Sequence, residues 1–242
     1  MQARIAEIAD GVYRLSTFVP DVAPPAGFTF NQFLLMADDP LLFHCGHRFM
    51  FDGILKAVES LMPVERLRWI SFSHVEADES GAMNLWQERA PRAQVVHGRL
   101  GCDVSLNDLS LRPPRALDDG ETLDLGGKRV RYLATPHVPH GWDAGLMFEE
   151  RTGTLLCSDL LGQLGDGPAL AQGDIVGPAL ESEDLWRSMS VNRETILTLE
   201  RLAALDPRTL AIMHGSSLNR GCADALRAFA AGLAERRLRA AA

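Results

Sequence analysis

The 242-residue chain carries 24 lysine and arginine residues against 32 aspartate and glutamate residues, a net charge of −8 at pH 7. Hydrophobic residues make up 46% of it and charged residues 23%, which excludes a disordered or fibrous protein. No apolar run approaches the roughly 20 residues of a bilayer span, and the N-terminus lacks the apolar core of a signal peptide. We expect a single domain, residues 1–242, that lies in the cytoplasm and binds neither membrane nor nucleic acid.

The first part of the chain is rich in strand formers and then alternates strands with helices. The predicted elements are strands at 12–15, 30–36 and 41–44, a helix over 53–61, a strand at 68–73, a helix over 80–89 and a strand at 94–97. The strands rest on runs of aromatic and aliphatic residues between turn signals, and the helices on apolar residues that recur on one face.

The second part continues with hairpins and ends in helices. The predicted elements are hairpins over 122–134 and 146–157, a Gly-, Ala- and Pro-rich loop over 162–178, a helical region over 183–205, a strand at 209–213 and a helix over 223–238. This alternation predicts a single layered α/β domain. The long loop could form a lid over a site or be merely a flexible connection.

A cluster of potential metal ligands follows the strand at 68–73. His74, Glu76, Asp78 and Glu79 stand within six residues, where a loop could curl around an ion. A solvated acidic turn before a helix is the alternative, because acidic residues favour a helix N-terminus.

Three further predicted strands also end in ligand-type residues. His137 and His140 follow the strand that ends near 134, Asp159 follows the strand at 154–157, and His214 follows the last strand. Strand ends that share an edge of a sheet gather dispersed residues at one place. The recurrence therefore favours a metal site over four unrelated polar turns. His44, His47 and His97 lie away from these segments, and we expect ordinary structural or surface roles for them.

The order of these motifs resembles the metallo-β-lactamase superfamily, whose usual first signature is His-x-His-x-Asp-His. Here Glu76 and Glu79 replace two of the histidines, and a glutamate at the first of these positions is typical of the flavodiiron proteins. The segment from Asp159 to Gln163 is similar to their Asp-x-x-Gly-Gln. The resemblance implies an αββα sandwich with a dinuclear metal site at the sheet edge.

The resemblance also implies roles for individual residues. His74, Glu76 and His140 would bind one iron, Asp78, Glu79 and His214 the other, and Asp159 would bridge them. His137 competes with His140, which is favoured by its spacing to Asp143; His137 could then donate a hydrogen bond to bound dioxygen. The many carboxylates favour two iron ions, or manganese, over zinc.

Flavodiiron proteins reduce dioxygen or nitric oxide with electrons from a flavodoxin-like domain that carries FMN, and they are usually homodimers. Only one predicted helix follows His214, so we expect neither that domain nor FMN in this chain. The site would then bind dioxygen, as in the oxygen-binding diiron proteins associated with oxygen sensing, or reduce dioxygen or nitric oxide slowly with a separate redox or signalling protein. The alternative is a dinuclear metal hydrolase acting on an ester, thioester or lactone.

Overall fold

Successive residues of a strand point to opposite faces of its sheet. Each sheet can therefore pack against the other sheet on one face and against helices on the other, which gives four layers. The computed structural model describes residues 2–240, which form two sheets of seven and five strands. In sheet order, the first holds β1 Arg4–Ala9, β2 Val12–Val19, β3 Phe28–Leu35, β4 Leu41–Phe43, β5 Trp69–Ser71, β6 Gln94–Gly98 and β7 Arg115–Leu117. The second holds β12 Thr209–Ala211, β11 Thr154–Leu156, β10 Gly145–Glu149, β9 Arg129–Ala134 and β8 Thr122–Asp124.

Helices cover the outer face of both sheets. They are α1 Phe51–Leu61, α2 Ala77–Ser80, α3 Met83–Arg89, α4 Arg99–Gly101, α5 Asn107–Leu109, α6 Val176–Trp186, α7 Arg193–Ala203 and α8 Cys222–Ala240. Within residues 2–240, no helix combines the length and the apolar composition that crossing a bilayer requires.

Three apolar clusters fill the spaces between the layers. In β4, Leu41 and Phe43 belong to the cluster between the sheets, whereas Leu42 belongs to the cluster beneath α1 and α3. The third cluster packs the second sheet against α6, α7 and α8, with Leu146 on the sheet side and Phe229 on the helix side. The layers therefore run helix, sheet, sheet, helix, and the predicted αββα sandwich is confirmed.

Several element boundaries differ from the predictions. The strands β1 and β7 at the edges of the first sheet were not predicted, and neither was the helical segment over 99–109. Helix α6 begins at Val176, well before the predicted 183. It accommodates Pro178 in its first turn, where the missing N–H costs no hydrogen bond. The loop before it packs beside the segment after β12, where Leu170 pairs with Ser217.

The sheet topology places several strand ends at one edge. Strands β4, β5 and β6 are parallel, as are β11 and β12. The two sheets are joined at this edge, because the Gly145 amide donates to the Ser73 carbonyl across 2.9 Å. Backbone from both sheets is thus fixed where the predicted ligands begin.

Tyr132 fills the space between the sheets so closely that it constrains a glycine. A methyl group at Gly98 would overlap the Tyr132 hydroxyl, whereas one at Gly173 would meet no atom within 4 Å. We expect Gly98→Ala to lower the free energy of unfolding by about 1–3 kcal/mol, the usual cost of overpacking a core. Gly173→Ala, the control, should change it by less than about 0.5 kcal/mol. Urea denaturation measures both, and equal effects would contradict this packing.

Candidate metal centre

Side chains from four strand ends converge at the shared edge of the sheets. They are His74 and Glu76 after β5, Asp78 in α2, His140 after β9, Asp159 after β11 and His214 after β12. Backbone hydrogen bonds fix the segments: the Asn31 amide donates to the Met213 carbonyl and the Met213 amide to the Ser158 carbonyl, each across 2.9 Å. Six of the seven predicted ligands therefore lie in two adjoining groups.

The first group consists of His74, Glu76, His140 and Asp159, whose nearest ligand atoms lie within 4.8 Å of one another. His74 Nε2 lies 2.8 Å from Glu76 Oε2, and His140 Nε2 lies 2.8 Å from Asp159 Oδ2. Ligands that bind one ion at roughly 2 Å lie about 3–4 Å apart. These four side chains are thus arranged closely enough to share one ion.

The second group consists of Asp78, Asp159 and His214. His214 Nε2 lies 3.0 Å from Asp159 Oδ1 and 3.5 Å from Asp78 Oδ2. Asp159 therefore belongs to both groups, with Oδ2 in the first and Oδ1 in the second. The two oxygens of one carboxylate thus face two different groups of potential ligands.

The surroundings of Asp159 fit a metal better than a hydrogen-bond network. Its Oδ1 is buried and has no hydrogen-bond partner of acceptable geometry among residues 2–240, although His214 Nε2 is near. A buried carboxylate oxygen without a partner is costly, and a cation between Asp159 and His214 would satisfy it. Three carboxylates and three imidazoles are also a donor set that suits iron or manganese.

Hydrogen bonds orient two of the imidazoles. His214 Nδ1 lies 2.8 Å from the Thr29 carbonyl oxygen, so Nδ1 donates and Nε2 keeps its lone pair for an ion. The loop that carries His74 is held by Asp143, whose Oδ2 accepts from the Val75 amide at 3.1 Å. In the sequence, Asp143 was considered only for its spacing to His140. In the structure, its contact with the Val75 amide supports the loop that carries His74.

Unlike charges stabilise one another in the metal-free centre. Burial lowers the pKa of His74, but the Glu79 and Glu76 carboxylates outweigh it and raise that pKa to about 10. Burial raises the pKa of Asp159, but the hydrogen bond from His140 and the nearby charges of His214 and His74 outweigh it and hold that pKa well below its usual range. Protonated imidazole therefore supplies positive charge that bound metal ions would otherwise supply.

Glu79 lies outside both groups, contrary to the prediction that it binds the second ion. Its Oε2 accepts from the amides of Ser73 at 2.6 Å and His74 at 3.0 Å, and its Oε1 accepts from the Ser158 hydroxyl. Successive residues of a helix point about 100° apart, so Asp78 faces the centre and Glu79 faces the sheet. Its contacts assign it to the junction of the β5 and β11 loops.

His137 also lies apart from the centre. Its side chain is exposed and lines a separate cleft with Pro136, Asn192 and Thr195. His137 has a φ of 64°, and its amide donates to the Gly141 carbonyl at 2.7 Å, which closes a tight turn. The turn directs His140 inward and His137 outward, so His137 is not placed to donate a hydrogen bond to a ligand at the centre.

His44 was expected to have an ordinary structural role, and its polar contacts are with Asn31 and Glu79, outside the two ligand groups. Its Nδ1 lies 3.1 Å from the Asn31 carbonyl oxygen and its Nε2 lies 3.4 Å from Glu79 Oε1. Burial lowers the pKa of His44 to about 3, so the ring is neutral. His44 lies near the centre because it follows β4, and β4 is a parallel neighbour of β5, the strand that precedes His74.

A buried arginine also supports the second group. Arg14 and Asn31 both donate to the Gly215 carbonyl, across 2.7 Å and 2.9 Å, and Asn31 also donates to the Ile212 carbonyl across 2.8 Å. These bonds hold the backbone on both sides of His214. Sequence reasoning missed Arg14, because nothing in a strand sequence shows that a guanidinium reaches a loop 201 residues away.

A cavity of about 250 Å³ opens over the centre. Five ligand side chains form its floor: Glu76, Asp78, His140, Asp159 and His214. Its wall consists mainly of apolar side chains from α6, α8 and the segments near them: Phe28, Ala179, Trp186, Met189 and Phe229. The ligand groups are thus accessible to a small molecule.

Known proteins share this sequence pattern over part of their length. The chain is 29% identical over 178 residues to the coenzyme F420H(2) oxidase of Methanothermobacter marburgensis, covering 67% of this chain and 43% of that protein. It is 27% identical over 198 residues to diflavin flavoprotein A 1 of Thermosynechococcus vestitus, covering 79% and 34%. The chain thus spans less than half the length of these relatives.

Solved structures show the same fold. A fragment of diflavin flavoprotein A 5 from Nostoc sp. superposes with a TM-score of 0.87 at 16% identity, covering 100% of this chain and 99% of that one. Rubredoxin oxygen:oxidoreductase from Desulfovibrio gigas superposes with a TM-score of 0.82 at 18% identity, covering 94% and 61%. At these identities the likeness concerns the fold.

The family is shown by a sequence profile. Residues 28–215, which include every residue of the two ligand groups, match the profile of the ODP family beta lactamase. Because the match extends over more than half of the chain, this protein belongs to the ODP family beta lactamase group.

Proposed function

We propose that this chain is a non-haem diiron protein that binds dioxygen or nitric oxide and either senses the gas or reduces it slowly. The observation that carries the proposal is Asp159, which offers one carboxylate oxygen to each of two ligand groups. His74, Glu76 and His140 would hold one iron, Asp78 and His214 the other. Bound there in the ferrous state, two irons would supply two electrons to a diatomic gas, while these side chains would fix their positions and offset their charge.

The relatives support a redox role. The names of two of them pair an electron donor with oxygen chemistry: coenzyme F420H(2) in an oxidase, and rubredoxin in an oxygen:oxidoreductase. We infer that a separate redox or signalling protein acts with this chain, and that this chain forms homodimers. The zinc hydrolase alternative is disfavoured because three carboxylates reduce the Lewis acidity that hydrolysis needs.

The residues of the centre have distinct roles in this proposal. Glu76, Asp78 and Asp159 would offset the positive charge of metal ions bound at the centre. Thr29 keeps a proton on His214 Nδ1, so that Nε2 is available to the ion. Glu79 positions the His74 backbone through its amide contacts and is not itself a ligand.

The direct test is metal analysis of protein prepared without oxygen, followed by its absorption spectrum when air is admitted. We expect about two irons per chain and a new visible band that persists without added reductant. Two zinc ions per chain and an unchanged spectrum would contradict the proposal and favour the hydrolase.

The two neighbouring histidines offer a matched pair of variants. His140→Ala removes an imidazole that lies 2.8 Å from Asp159, whereas His137→Ala removes an exposed side chain from another cleft. We expect His140→Ala to lose about one iron per chain and His137→Ala to keep both, measured by metal analysis. Equal iron contents in the two variants would contradict the assignment.

Iron binding should also release protons. The pKa of His74 is about 10 in the metal-free chain, so its imidazole is charged at pH 7, whereas a ligating imidazole must be neutral. We expect at least about one proton released per chain at pH 7, and fewer as the pH approaches 10. Titration calorimetry in buffers of different ionisation enthalpy measures this number, and a heat independent of the buffer would contradict it.

A further inference from the structure

The cavity over the ligand groups is larger than a diatomic gas requires. Its volume is about 250 Å³, whereas a cavity of about 150 Å³ is enough to hold a benzene molecule. A two-atom gas would leave most of this space to water. The space matches a six-membered ring that carries one small polar substituent.

The wall of the cavity is suited to an aromatic ring. The Phe28 ring stacks on the His214 ring with centroids 4.2 Å apart, and the Trp186 ring lies 5.6 Å from Phe28 at an angle of 55°. Met189 and Phe229 add further apolar surface. Apolar walls with a few polar groups at one end are characteristic of small-molecule sites.

The floor favours a negative charge on the ligand. The ligand groups contain three carboxylates, Glu76, Asp78 and Asp159, whereas the buried Glu79 bonds to two backbone amides and the Ser158 hydroxyl behind them. Two divalent ions would therefore exceed the charge of the ligand groups themselves by one. The one carboxylate on the wall, Glu183, is already used: its Oε1 accepts from the Met189 amide at 2.9 Å and its Oε2 from the Ser188 hydroxyl at 2.8 Å. These bonds also hold Met189 in place.

From these observations we propose that the cavity binds a small aromatic monocarboxylate. Its carboxylate would face the ligand groups, and its ring would lie against Phe28 and Trp186. This inference rests on the proposed function, because it requires metal ions at the centre. It extends that function by making an organic anion, besides a gas, a ligand of the same centre.

Benzoate and acetate are the probes, since they share the carboxylate and differ by the ring. Titration calorimetry under nitrogen on the iron-loaded chain should give benzoate an affinity at least about 10-fold higher than that of acetate, because only benzoate buries apolar surface. Equal affinities for the two anions would overturn the inference.

Two adjacent residues of α6 serve as variant and control. Trp186 lines the cavity and Leu185 does not, and both are exposed, by 45% and 57%. We expect Trp186→Ala to weaken benzoate binding by at least about 5-fold without changing acetate binding, and Leu185→Ala to change neither. Equal losses in both variants would overturn the role of the wall.

Metal analysis of the same samples separates this inference from the proposed function. Two irons per chain without benzoate preference would contradict the inference alone. Two ions of another metal with benzoate preference would support the inference and contradict the diiron proposal. A chain without metal that does not distinguish benzoate from acetate would contradict both.

Discussion

The centre depends on one carboxylate whose two oxygens serve different partners. Asp159 places Oδ2 beside His140 and Oδ1 beside His214, and it can do so because β11 ends between the segments that carry these histidines. The parallel pairing of β11 with β12 brings His214 to the same edge, and the amide contact between Gly145 and Ser73 brings the first sheet to it. The sandwich is thus a means of placing four strand ends around Asp159.

Charge balance is the constraint that shapes the surroundings of the centre. Three carboxylates of the ligand groups and the buried Glu79 lie close together, and in the metal-free chain protonated imidazoles offset them. Burial raises the pKa of Glu79 to about 7 despite the opposing effect of His74. Backbone amides and the Ser158 hydroxyl turn toward Glu79, which frees the ligand carboxylates for ions. Within one short segment, Glu76 and Asp78 therefore face the proposed ion sites, whereas Glu79 accepts hydrogen bonds from the protein.

Much of the fold and most of the centre could be predicted from the sequence. The ends of β5, β9, β11 and β12 are recognisable because each apolar strand stops at a histidine or a carboxylate, which packing alone does not require. The direction of Glu79 could not be predicted, since it depends on α2 beginning at Ala77. The choice between His137 and His140 depends on a tight turn that the spacing does not reveal. Arg14 was missed because its contacts are set by sheet topology and not by neighbours in sequence.

The account predicts two ions bridged by one carboxylate, and anomalous diffraction at the iron edge from crystals of the iron-loaded chain tests this most directly. We expect two peaks on either side of the Asp159 carboxylate, one within ligand distance of His74, Glu76 and His140, the other of Asp78 and His214. A single peak, or a peak bound to Glu79 and not to Asp159, would contradict the account.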